Sequence, residues 1–158
     1  MGMIYQWRPG YYHRTAPEVA AQVMNELAEA GNLNAESLVE VSRPDDAPLH
    51  NEFEWDDTKA AESWRKHQGR NIINALIMTP ETEEEQSKEP IRAFFKVNAT
   101  EHYESTNVLI QTQNGRDSLR EQARKELLSY RMKFYSVLKW TGAEIGVMQA
   151  LEELDKAQ

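Results

Sequence analysis

Cysteine does not occur in this chain of 158 residues. Without a thiol the protein has no disulfide bond, no thiolate nucleophile and no cysteine-ligated zinc, which excludes the enzyme classes that depend on them. Long apolar runs are missing too, and no apolar segment is close to the length of about 18 residues that spans a membrane. Residues 1–9 also lack the basic stretch followed by an apolar core that is typical of a signal peptide. We therefore expect a cytoplasmic protein with no membrane segment.

Catalytic motifs are equally scarce. The sequence contains no glycine-rich phosphate loop, no G-x-S-x-G and no H-E-x-x-H. Its 4 histidines stand singly, without the i, i+4 pairing that places two metal ligands on one helix face: His13, His50, His67 and His102. His50 lies among acids, where a metal or an acid–base pair is conceivable, although a hydrogen bond that orders its loop is the favoured interpretation. We predict no enzyme, no metal or other cofactor and no small-molecule substrate.

The composition is that of a folded globular domain. Hydrophobic residues make up 40% of the chain and charged residues 28%, with 7 Gly and 6 Pro, which excludes a disordered or collagen-like chain. At this length we expect one compact domain. The formal net charge of -8 disfavours nucleic-acid binding unless the basic residues are segregated on one face.

Helical periodicity predicts an N-terminal helical unit over residues 1–78, made of three helices. The first begins at a capping box over residues 15–18 and ends at Gly31. The second begins at Asn34 and ends before Pro44. The residues of these two helices that we expect to face the core are Val19, Ala20, Val23, Met24, Leu27, Ala30, Leu38 and Val41.

A loop of unusual composition precedes the third helix. It combines two prolines, three large apolar side chains and six acids, which are Asp45, Asp46, Glu52, Glu54, Asp56 and Asp57. Because a polar loop does not normally contain large apolar side chains, we predict an ordered loop held to the core by Leu49, Phe53 and Trp55. An aspartate then caps the third helix, which runs to about residue 76 with Trp64 inward and with Arg65, Lys66 and Arg70 outward.

In the second half of the chain, a linker and a short β segment precede a long helical element. Residues 79–90 form an acidic linker, and residues 91–112 form a β-hairpin followed by a short helical turn that Asn114–Gly115 ends. Residues 113–158 form a long helical element that bends at Thr141–Gly142 and either folds back or pairs with another copy. The predicted class is α+β, mainly helical, with the element order of a winged helix.

Residues 38–65 resemble a known family. The loop RPDDAPLHNEFEWDD, between the second and third helices, is similar to that of an uncharacterised family of small proteins encoded by bacteriophages and prophages. The resemblance implies a phage or prophage origin and a bacterial host cytoplasm. It carries over no catalytic residues.

Two classes of function fit these features. In the first, the protein is a non-enzymatic phage accessory regulator that binds a host or phage protein, and its carboxylates imitate the phosphates of DNA. The acids assigned to this contact are Asp45, Asp46, Glu52 and Glu54. In the second, it is a winged-helix-like DNA-binding protein. The bases assigned to DNA lie on helix three, the hairpin and a C-terminal stripe: Arg65, Lys66, Arg70, Arg92, Lys96, Arg116, Arg120 and Arg124.

We also predict a homodimer. The apolar stripe of the C-terminal element is longer than the rest of the domain can cover, and Gly142 and Gly146 would let a second helix approach closely. The residues assigned to this interface are Phe134, Leu138, Ile145, Met148 and Leu151.

Overall fold

A computed structural model gives the structure of the protein and describes residues 2–56, 61–80, 89–97 and 102–157. The chain divides into two compact units, Met1–Val108 and Leu109–Gln158. Helices dominate, and short antiparallel strands accompany them in the first unit, so the predicted mainly helical α+β class is confirmed. No helix in the described ranges is both long enough and apolar enough to cross a membrane.

The described elements follow one another in this order: β1 (Met3–Trp7), α1 (Pro17–Glu29), α2 (Ala35–Val41), a 3₁₀ turn (His50–Glu52), α3 (Ala61–Ala75), β2 (Leu76–Pro80), β3 (Ile91–Arg92), β4 (Phe94–Lys96), β5 (Tyr103–Ser105), α4 (Thr106–Leu109), α5 (Gln113–Thr141) and α6 (Glu144–Lys156). The predicted Asp57 cap, the linker residues 81–88 and the turn at residues 98–101 lie outside the described residues.

Local sequence signals set the C-terminal end of α1 and both ends of α2 as predicted. Pro17 is the first residue of α1, where its missing N–H costs no hydrogen bond. Gly31, with φ of 69°, takes the left-handed conformation that ends the helix. Asn34 caps α2 because its side-chain oxygen accepts a hydrogen bond from the Ser37 backbone N–H at 2.9 Å.

Four details of these two helices differ from the sequence prediction. The N-cap of α1 is Ala16 rather than Thr15, and the Thr15 N–H, which a capping box would bond to Glu18, donates to the Glu52 carboxylate. Val19, Ala30 and Val41, which were expected to face the core, are exposed. The core-facing stripe is therefore narrower than periodicity alone predicts.

The described strands form two antiparallel sheets, one of three strands and one of two. β1 pairs antiparallel with β2 along its whole length, β3 pairs with β2 on the other side, and β4 and β5 form the predicted hairpin. Ala93 interrupts the single strand expected over residues 91–97: its N–H donates to the Leu76 carbonyl at 3.0 Å, and its own carbonyl accepts from the Thr106 N–H at 2.9 Å. The sequence analysis places no strand at residues 3–7 and assigns residues 79–80 to the linker, and pairing between β1 and β2 corrects both.

The core of the first unit contains side chains from α1, α2, α3, the acidic loop and the strands. Its largest fully buried members are Met24, Leu33, Leu38, Leu49, Ile72, Ile73, Leu76, Met78 and Phe94. Gly69 lets α2 and α3 pack closely, since a Cβ at this position would lie 3.1 Å from the Ala35 carbonyl oxygen.

Helix α3 presents a different face to the core than predicted. Trp64 is 53% exposed, whereas Arg65 is 3% exposed and lies on the buried face with Gly69 and Ile72. The burial of Arg65 is tolerated because its Nε donates to the Glu54 carbonyl at 2.6 Å. The predicted orientations of Trp64 and Arg65 are both wrong.

The second unit is a helical hairpin of α5 and α6. Thr112 caps α5 by accepting a hydrogen bond from the Gly115 N–H at 3.1 Å, so Asn114–Gly115 lies in the first turn of α5 and does not break a helix there. Gly142, with φ of 77°, ends α5 in the left-handed conformation and makes the predicted bend. Helix α6 then folds back along α5, which is the first of the two alternatives drawn from the sequence.

Candidate functional site

The acidic loop between α2 and α3 is anchored by its apolar side chains. Leu49 and Phe53 are buried in the core, which confirms the predicted role of both. Backbone hydrogen bonds order the chain between them: the Glu52 N–H donates to the Leu49 carbonyl at 3.0 Å and the Phe53 N–H donates to the His50 carbonyl at 3.2 Å. The loop therefore presents a fixed surface.

Trp55 holds the end of this loop in place through contacts with His50 and Arg65. Its indole N–H donates to the His50 carbonyl at 2.8 Å, and its ring stacks on the His50 imidazole with centroids 5.0 Å apart. The Arg65 guanidinium lies 5.0 Å from the Trp55 ring centroid, within the range of a cation–π contact. The His50 Nδ1 lies 3.1 Å from the Ser42 carbonyl oxygen, so this histidine orders the loop.

Three of the four acids assigned to a protein contact face solvent. Asp45, Asp46 and Glu54 are exposed on the ordered loop, and Asp56 beside them is exposed as well. Asp45 lies 3.8 Å from the His50 Nε2, while its side chain is fully accessible. These four carboxylates form what we call the acidic surface.

Glu52 does not belong to the acidic surface, which corrects the sequence prediction. Its side chain is 5% exposed. One carboxylate oxygen accepts from the backbone N–H groups of Arg14 and Thr15, at 2.7 and 2.6 Å, and the other lies 3.0 Å from the His13 Nδ1. Glu52 thus fixes the segment before α1 to the acidic loop.

Glu52 should make the stability of the first unit depend on pH. Burial alone would raise the pKa of this carboxyl, but the hydrogen bonds from Thr15 and His13 outweigh burial and hold the pKa below its ordinary value. Ionised Glu52 therefore stabilises the folded state above about pH 4.3, and this stabilisation is lost as the pH falls through the lower folded-state pKa.

We expect Glu52→Gln to lower the free energy of unfolding by about 1 to 3 kcal/mol at neutral pH, because the Arg14 and Thr15 N–H groups lose a charged acceptor. The deficit should shrink in acid, where the wild-type carboxyl is protonated too. Urea unfolding at pH 7 and at about pH 3 measures both values. Asp46→Asn, which removes an exposed carboxylate, is the control and should have little effect. A deficit that is equal at the two pH values would contradict this role.

The five basic residues predicted on α3 and the hairpin do not form one face. Arg65 is buried as described, and its Nη1 also donates to the Glu62 carboxylate at 3.2 Å. Arg92 hydrogen-bonds the Asn74 side chain and lines a cleft together with Trp7 and Arg8. The structure brings together the remaining three, Lys66, Arg70 and Lys96, at a second cleft.

The C-terminal basic stripe is paired within its own unit. Arg116 donates to the Ile110 carbonyl at 3.0 Å and to the Gln113 side chain at 2.7 Å. Arg120 lies 3.2 Å from Asp117, and Arg124 donates across the hairpin to Asp155 at 2.6 Å. The hydrogen bond to Asp155 raises the pKa of Arg124. Arg124 therefore links α5 to α6, a role that was not assigned to it from the sequence.

The apolar side chains of the hairpin divide into two groups. Leu138 and Leu151, both assigned to the oligomer interface, are buried within the single chain. Phe134, Ile145 and Met148, which were assigned to the same interface, are exposed. Met132, which is 80% exposed, was not among the residues assigned from the sequence. Other large exposed side chains of the hairpin are Tyr130, Tyr135, Val137 and Trp140.

An ion-pair cluster fixes the turn of the hairpin. Glu144 lies 2.7 Å from the Lys139 Nζ and 2.6 Å from an Arg131 guanidinium nitrogen. These contacts, led by the hydrogen bond from Lys139, lower the pKa of Glu144. Because its pairs bridge α5 and α6, Glu144 holds the start of α6 against α5.

Comparison of the chain with protein-family models, curated proteins and solved structures finds no match. Within the described residues, no group of three or more His, Asp or Glu side chains is arranged to hold a metal ion.

Proposed function

We propose that the protein is a non-enzymatic binding protein that acts through protein–protein contacts, and that the hairpin of α5 and α6 is its main contact element. The observation that supports this proposal is the exposure of large apolar side chains on the hairpin. Trp140 is 86% exposed, Met132 80% and Ile145 76%, while the two helices bury Leu138 and Leu151 between them.

A partner that covers the exposed apolar side chains of this hairpin would be bound by the burial of those side chains. Each large apolar side chain that becomes fully buried contributes about 1.5 to 3 kcal/mol. A shallow groove of the hairpin is lined by Ile145, Met148 and Leu151, with Arg131 and Glu152 among its polar lining residues. Side chains of both charges beside one apolar patch suit a symmetric contact, in which the same surface of two copies meets itself. We therefore propose a homodimer in which two hairpins form a four-helix bundle.

The dimer can be tested by changing exposed side chains that the folded hairpin does not need. We expect a dimer mass for the wild-type protein in light scattering, and a dissociation constant about tenfold or more higher for the double variant Met132→Ser/Ile145→Ser. Tyr12→Ser, which changes an exposed aromatic residue of the first unit, is the control. Circular dichroism verifies that each variant folds. A monomeric wild-type protein at high micromolar concentration would contradict the proposal.

The acidic surface is the proposed second contact. Its carboxylates lie on an ordered loop, so binding a basic partner would require little loss of loop entropy. With the resemblance to phage-encoded proteins, this supports an accessory regulator that occupies a basic site of a host or phage protein. The affinity of such a partner for the protein should fall at high salt. It should also fall when Asp45, Asp46 and Glu54 are neutralised together.

Binding to DNA through α3 is the weaker candidate. A winged helix presents its third helix to the major groove, and the burial of Arg65 removes one of the cations expected there. The ion pairs of Arg120 with Asp117 and of Arg124 with Asp155 reduce the positive charge available for phosphate contacts.

A further inference from the structure

We propose that the cleft lined by Lys66, Arg70 and Lys96 binds a phosphate group, carried either by a small molecule or by a nucleic-acid backbone. The cleft has a volume of about 310 Å³, and its other lining residues are Asn34, Ala35, Glu36 and Tyr103. This inference is independent of the proposed dimer, because its residues all belong to the first unit.

Two elements, α3 and β4, bring the cations together, and α2 forms part of the wall. Lys66 and Arg70 are one turn apart on α3, which places them on the same helix face. Lys96 comes from β4 and lies at the end of the β4–β5 hairpin. This hairpin is held to the connection between α1 and α2, because the Tyr103 N–H donates to the Leu33 carbonyl. Tight packing of α3 on α2 at Gly69 fixes the opposite wall. The positions of the cations are therefore set by buried backbone contacts.

The cleft is a positive site in an acidic protein. Its described lining residues include three basic side chains and one carboxylate, that of Glu36, whereas the whole chain has a formal charge of -8. The Lys66 Nζ lies 3.3 Å from a Glu36 oxygen, and the Glu36 side chain is mostly exposed. An incoming phosphate would compete with Glu36 for Lys66.

The residue types suit a phosphate ligand. The planar guanidinium of Arg70 can donate two parallel hydrogen bonds to phosphate oxygens, and each lysine supplies a compact positive charge. Tyr103, which is buried, and Ala35 form an apolar part of the wall. Charges beside apolar surface are screened less by water, so their attraction to an anion is stronger than on an open surface.

Calorimetric titration with three probes tests the site: inorganic phosphate, adenosine monophosphate and a short single-stranded oligonucleotide. We expect the wild-type protein to bind at least one of them, and Arg70→Gln to weaken binding about tenfold. Glu36→Gln, which removes the competing carboxylate, should tighten binding. Lys125→Gln is the matched control, because it breaks a similar exposed lysine–glutamate pair, with Glu121, on α5.

The probes separate the two sources of phosphate. Preference for the oligonucleotide, with affinity that falls steeply with salt, identifies a nucleic-acid backbone, while preference for the monophosphate or phosphate identifies a small molecule. Arg70 and Glu36 are both exposed, so their variants should fold, and circular dichroism verifies this. The proposal is overturned if the wild-type protein binds none of the probes at millimolar concentration, or if Arg70→Gln and Lys125→Gln bind equally well.

Discussion

Replacing Trp55 with alanine should lower the free energy of unfolding by about 3 kcal/mol, the lower end of the usual cost of removing a buried tryptophan, because this ring is only half-buried. The variant loses the ring contact with Phe53, the stack on His50 and the hydrogen bond to the His50 carbonyl. It also removes the aromatic face beside the buried Arg65 guanidinium. Urea unfolding followed by circular dichroism measures the change.

Trp64 provides a matched control nine residues along the chain. The sequence predicts that both tryptophans anchor the core, but Trp64 is more than half exposed and its described ring contact is a stack on His67 at 5.4 Å. We expect Trp64→Ala to cost less than about 1 kcal/mol. Equal losses for the two variants, or wild-type stability for Trp55→Ala, would show that Trp55 does not anchor the acidic loop.

The difference between the two tryptophans shows what the sequence could not reveal about α3. Hydrophobicity directs Trp64 inward and Arg65 outward. The structure reverses this because the acidic loop supplies an acceptor, the Glu54 carbonyl, and an aromatic ring, Trp55, at the position of Arg65. A helix-period pattern contains no information about such partners, which come from outside the helix.

Signals that act within a few residues were predictable. The Asn34 cap and the left-handed glycines Gly31 and Gly142 act through hydrogen bonds and backbone preferences of their own turn. The pairing of β1 with β2 was not predictable in this way, since it joins segments about 70 residues apart in the chain. Long-range pairing depends on the whole topology rather than on local preference.

The same distinction between local signals and long-range contacts applies to the candidate surfaces. The composition of the acidic loop predicted that Leu49 and Phe53 are buried and that Asp45 and Asp46 are exposed. It could not separate Glu52 from these acids, because the partners of Glu52 belong to the segment before α1. The position of Tyr103 in the cleft lined by Lys66, Arg70 and Lys96 likewise depends on tertiary contacts.

Gly115→Ala should destabilise the start of the helical hairpin. A Cβ at Gly115 would lie 2.2 Å from the Leu109 carbonyl oxygen and 2.7 Å from the Leu109 Cα, distances at which the backbone must move. Overpacking of this kind costs about 1 to 3 kcal/mol, more than alanine gains over glycine in helix propensity. The expected result is a lower urea midpoint for the loss of helical circular dichroism, together with weaker protection of the first turn of α5 in hydrogen exchange.

Gly146→Ala is the control and should change stability in the opposite direction. Gly146 lies in the first turn of α6, and no atom of the described residues would come within 4 Å of a new Cβ, apart from its own helix backbone and chain neighbours. Alanine should therefore stabilise the monomer by up to about 1 kcal/mol through helix propensity. A gain for Gly115→Ala would contradict the close contact with Leu109. If Gly146→Ala instead weakens the dimer while the monomer gains stability, Gly146 lies where the two copies meet.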